Sequence, residues 1–86
     1  MVAPAVAVEV LRQMLTAELK VRDRYNAIVG MDDAGVLREY AAQLHTHPRA
    51  FPDVGACRRS AEGVLLESSE RVAALQSAIA ALEEES

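Results

Sequence analysis

The sequence predicts an all-α protein, a helical hairpin or three-helix bundle with two long helices, a short middle helix and a coiled-coil-like C-terminal helix. Three observations carry that expectation. Apolar residues recur at three- and four-residue intervals near both ends of the chain, and no stretch alternates as a strand does. The 86 residues are 51% hydrophobic, yet the aromatic ones are only Tyr25, Tyr40 and Phe51. A core of alanine, valine and leucine suits closely spaced helices better than a sheet layer. Finally, helix stop and start residues cluster at two places, around Gly30–Asp33 and Pro48–Asp53.

The first helix is expected over residues 5–29, with Pro4 tolerated in a first turn because its missing N–H has no intrahelical use. Gly30 and Met31 read as a stop, with glycine free to turn left-handed and Met31 able to pack back. Asp32 and Asp33 offer a cap for a second helix over 34–45, which ends ahead of Pro48. "HTHPRAFP" is an irregular connector, and Asp53 caps a third helix over 54–84. Gly63 is the weak point of that helix, costing about 1 kcal/mol relative to alanine. Three closing glutamates oppose its dipole, so its last turn is expected to fray.

The clearest pattern lies in the third helix. Ala61, Leu65, Ser68, Val72, Leu75, Ile79 and Leu82 follow a 4-3-4-3-4-3 spacing, the seam of a coiled coil, and Val54 and Cys57 extend it backwards. At 1.5 Å per residue the three helices measure about 37, 18 and 46 Å. The middle helix is too short to cover both long ones. Much of the seam is therefore expected to face water in a monomer and to mark an interface with a second copy or another helical protein. A single domain this small, burying only about 60–65% of its unfolded surface, also gains from association.

On the first helix, Leu11, Leu15, Glu18, Arg22, Tyr25 and Val29 share one stripe, so two charges fall within an apolar face. Glu18 and Arg22 stand four residues apart with the acid first, the favourable order for an ion pair. A second apolar flank runs through Val10, Met14, Ala17, Val21 and Ile28. If that flank is the core direction, the pair becomes a boundary contact with its alkyl stems on the core. If the first stripe is, the pair can set register against a partner.

"LRQMLTAELKVRDRY" resembles the first helix of ferritin-like proteins, bacterioferritins especially, whose inward glutamate binds a metal with a tyrosine seven residues later. Glu18 and Tyr25 match that motif. The resemblance implies a metal-binding half-bundle completed across a dimer, with Glu18, Glu39 and His45 as ligands. The family's Glu-x-x-His is not kept, since Ala42 stands three residues after Glu39 and the histidine comes only at His45.

Other chemistry is sparse. His45 and His47 flank Thr46, and only an extended connector lets both reach one ion. Cys57, beside Arg58 and Arg59 in the first turns of its helix, is either a small core hydrophobe or an activated thiol. Arg49, Arg58 and Arg59 make the connector end positive and suit solvent, or an acidic segment such as a neighbour's "EEES". No phosphate loop, nucleophile elbow or paired acid/base carboxylates appear.

Nine bases against thirteen acids, net charge −4, argue against nucleic acid as a partner. The single cysteine points to a reducing compartment, and "MVAPAVAVEV" is neither signal peptide nor membrane span, so a cytoplasmic protein is expected. The functional expectation is a non-enzymatic assembly or adaptor protein, a co-chaperone or complex subunit, without cofactor, membrane or small-molecule substrate. Its interaction residues are Leu65, Val72, Leu75, Ile79 and Leu82, faced by Leu11, Leu15 and Tyr25, with Glu18 and Arg22 setting register. The alternative is the ferritin-like metal site.

Overall fold

Helix α1 (Pro4–Val29) opens on its proline and runs for 26 residues, about 39 Å. It stops through a tightened last turn, in which Gly30 N–H donates to the Ala27 carbonyl (3.2 Å) and Met31 N–H to that of Ile28 (3.0 Å). A left-handed glycine is not used: no described glycine has positive φ. The chain is known from a computed structural model that describes residues 4–85. The first three residues of "MVAPAVAVEV" and the final serine of "EEES" lie outside the described residues.

Two aspartates start the later helices. Asp32 Oδ1 accepts from Gly35 N–H at 2.8 Å and caps α2 (Asp33–Glu39). Asp53 Oδ1 accepts from Ala56 N–H at 2.8 Å and caps α4 (Val54–Glu84). Each satisfies an N–H that the first turn leaves without an intrahelical acceptor. The middle helix expected over 34–45 is divided. It breaks at Tyr40, whose φ of −96° and ψ of 8° leave the helical region, and resumes as α3 (Ala41–Thr46). The break lets Tyr40 turn fully inward, with its hydroxyl donating to Ser60 Oγ (3.2 Å) and its ring 5.4 Å from that of Phe51. Burial raises the Tyr40 phenol above its ordinary pKa, against the hydrogen bond with Ser60, which lowers it. α4 passes through Gly63 unbroken.

α1 and α4 pack antiparallel as a hairpin. Arg12 pairs with Glu83 at one end, Ser68 Oγ donates to the Glu18 carbonyl (3.3 Å) midway, and Ile28 joins Cys57 and Ala61 at the other end. α2 folds back onto this last end, where Val36 and Tyr40 complete a cluster with those three, flanked by Tyr25, Val29, Met31, Leu44, Phe51 and Val54. Gly35 permits the approach, because a Cβ there would stand 2.9 Å from Met31 Cβ. Arg58 locks it: its guanidinium donates to the Met31 carbonyl (2.9 Å) and to Asp33 Oδ1 (2.8 Å). Of the three arginines expected to face solvent or a neighbour, Arg58 is instead an internal clip.

The molecule is a rod of 50 × 23 × 15 Å. Its radius of gyration is 16.9 Å, against about 12 Å for a globular domain of this length. The described residues contain no strand, and none of their helices is long and apolar enough to cross a membrane. The seam behaves differently from expectation. Ala61, Ser68, Val72 and Ile79 are buried and Leu65, Leu75 and Leu82 partly so, because α1, nearly as long as α4, covers them within the same chain. The short middle helix covers only the turn end, through Val36 and Tyr40.

Ile28 is 2% exposed at the centre of the α1–α2–α4 cluster. Ile28→Ala is expected to cost about 2–5 kcal/mol in urea unfolding, a large part of the roughly 4–13 kcal/mol available to a chain this size. Removing the Arg58 clip by Arg58→Ala should cost less, about 1–2 kcal/mol, since its charge-assisted bonds are partly exposed.

Candidate interaction face

The two apolar stripes of α1 have different fates. The stripe with Leu11, Leu15, Glu18, Arg22 and Tyr25 faces α4, all five being partly buried. The second flank is divided along its length. Ile28 is buried beneath α2, whereas Val10 and Met14 are 50% and 52% exposed, as is Val6 at 54%. The core direction is thus the stripe that contains the two charges.

Glu18 and Arg22 do not pair with each other. The Glu18 carboxylate, 17% exposed, accepts from Arg71 Nε on α4 at 2.5 Å, and Arg22 reaches only its neighbour Asp23 at 3.9 Å. Glu18 is tolerated on the seam because it sits at the groove's edge, where a base from the facing helix meets it. The Arg71 hydrogen bond holds its pKa below the ordinary value of 4.5, against a smaller upward push from burial. Arg71 is the only base on α4 beyond Arg59, so the missed signal was a lone cation beside Val72, at the seam.

The remaining candidates are scattered. Glu39 lies exposed on α2 and meets Arg24 at 3.7 Å, His45 is exposed on α3, and Glu18 is engaged by Arg71. The fold does not bring these three ligands of the metal reading together, and among the described residues no group of three His, Cys, Asp or Glu is placed to hold a metal ion. Cys57 is completely buried in the cluster and packs as a small hydrophobe, while His45 and His47 are exposed.

What the fold does assemble is an uncovered apolar face. Eighteen residues make five full helical turns, so Val10 lies directly in line with Ile28 on α1, and Ala78 in line with Ser60 on α4. Ile28 and Ser60 both lie under Tyr40 and its neighbours. Val10 and Ala78 repeat those positions about 27 Å along the hairpin, where no third helix covers them. Between the two ends, Met14, Arg71, Ala74 and Leu75 line a shallow recess. A second recess at the extremity is lined by Pro4, Val8, Arg12 and Leu82 among others. The charges at these recesses are paired: Arg71 beside Met14 holds Glu18, and Arg12 at the extremity holds Glu83. The recess between Met14 and Leu75 offers mainly hydrophobic contact, with the Arg71 side chain at its rim.

Because the Glu18 pKa is depressed in the folded state, its stabilising contribution is present above pH 4.5 and is lost as pH falls through the folded value. Glu18→Gln should therefore flatten the acid limb of the stability curve below pH 4.5, measured by urea midpoints, and leave the limb near neutrality parallel to the parent. An unchanged acid limb rules out the bridge in solution. Comparison with known proteins adds no relative: no protein-family model, no curated protein and no solved structure matches the chain.

Proposed function

We propose that this chain is a non-enzymatic interaction or assembly protein whose working surface is the apolar groove beside the α1–α4 seam. The observation that carries the reading is the third-helix position. It is filled by α2 at the Ile28 end, while Val6, Val10 and Met14 stand half exposed at the other. Soluble monomers rarely leave large aliphatic side chains in one contiguous file, and such a file marks a binding surface. The seam residues named as the interface, Leu65, Val72, Leu75, Ile79 and Leu82, then act from beneath. They hold α1 and α4 at the spacing that forms the groove, and Leu75 and Leu82 reach its floor.

A reducing, cytoplasmic setting accords with the free, buried Cys57, which makes no bond that an oxidising environment would protect.

A photo-crosslinking residue at position 10, compared with one at exposed Thr16 outside the groove, tests the reading in cells. A discrete adduct is expected from position 10 and none from position 16, whether the adduct joins two copies or this chain to another protein. Absence of adducts from both positions overturns the reading.

A further inference from the structure

We infer that the occupant of the groove is a second copy of this chain, packed antiparallel so that the open halves of two hairpins form a four-helix layer. The inference rests on the interaction reading above and names its partner.

The surface area is the first argument. The chain exposes 5915 Å², about 900 Å² more than a globular monomer of its mass. A standard protein–protein interface removes about 800 Å² from each partner. The excess of this rod is therefore of the size that one dimer contact covers.

The second argument is charge. A two-fold interface sets a patch against its own image, so a charged patch would meet like charge. This groove carries Val6, Val10, Met14 and Ala17 on one wall and Ala74, Ala78 and Leu82 on the other, and Arg71, which lines it, is already neutralised by Glu18. Its own image is a suitable partner for it. No cluster of one sign lines it that would select an acidic or basic partner helix instead.

Shape then decides the orientation. α2 stands on the same side of the hairpin as the groove, since Ile28 and Ser60 share their helix faces with Val10 and Ala78. It forms a shoulder one helix, about 10 Å, high. Parallel pairing would bring two shoulders together and hold the grooves apart. Antiparallel pairing puts the shoulders at opposite extremes and lets the open halves meet, with α1 and α4 of one copy against α1 and α4 of the other.

Sedimentation equilibrium of the full chain from about 1 to 500 μM tests this. A dimer mass is expected at the upper end, falling on dilution. Val10→Asp and Met14→Glu should each give a monomer across the range with an unchanged far-UV spectrum, because both side chains are already half exposed within one chain. Leu66→Asp, 62% exposed on α4 and turned away from the groove, should leave the dimer intact. A parent chain that stays monomeric at 500 μM overturns the inference, as does a dimer indifferent to both groove substitutions. The two readings fail separately. A monomer that still yields a position-10 adduct with a different protein ends the second-copy inference and leaves the interaction reading standing.

Discussion

The antiparallel contact of α1 with α4 is the constraint on which the remaining structure depends. Two helices alone can bury only one stripe each, and here each stripe contains polar members: Glu18 and Arg22 on one side, Ser68 on the other. The pairing accommodates them by chemistry specific to each position. Ser68, fully buried, gives its hydroxyl to the Glu18 carbonyl, and the Glu18 side chain turns to the groove edge and Arg71. Small residues at Ala61 and Ser68, both fully buried, let the two helices pack closely in a chain with few aromatics.

The two ends of the hairpin differ in physical character. At the turn end α2 supplies a third wall. The side chains that become fully buried there (Ile28, Val36, Cys57 and Ala61) are covered from three directions. At the far end the same helical faces continue without a cover, so the contact thins to a single file in which Ile79 and Val8 are only just buried at 9% exposure. The Glu18–Arg71 bridge falls between these regimes, and the Arg12–Glu83 pair closes the extremity. The fold is complete at one end and half built at the other.

The candidate residues for chemistry are dispersed by the fold: Glu18 and Glu39 are engaged by arginines, Cys57 is buried, and His45 and His47 are exposed. The likeness of helix α1 to a ferritin-like first helix extends to the residue types at Glu18 and Tyr25. It does not extend to the surroundings, because a guanidinium occupies the place at Glu18 where a cation's charge would act.

Helix content, the long–short–long order and the caps at Asp32 and Asp53 were legible in the sequence, because each depends on interactions within a few residues, whereas the passage of the last helix through Gly63 was left open until its packing against α1 was seen. The heptad spacing of Ala61 to Leu82 was equally legible as a stripe that must be covered. What covers it was not, since spacing specifies that a face is apolar and not which element lies against it. The same ambiguity hid the choice between the two flanks of α1, the partner of Glu18 and the inward turn of Tyr40 that divides the middle helix. Each of these depends on which residues distant in sequence become neighbours. Local periodicity determined the helices, and the antiparallel pairing of α1 with α4 decided which of their faces were spent in the core and which remained open.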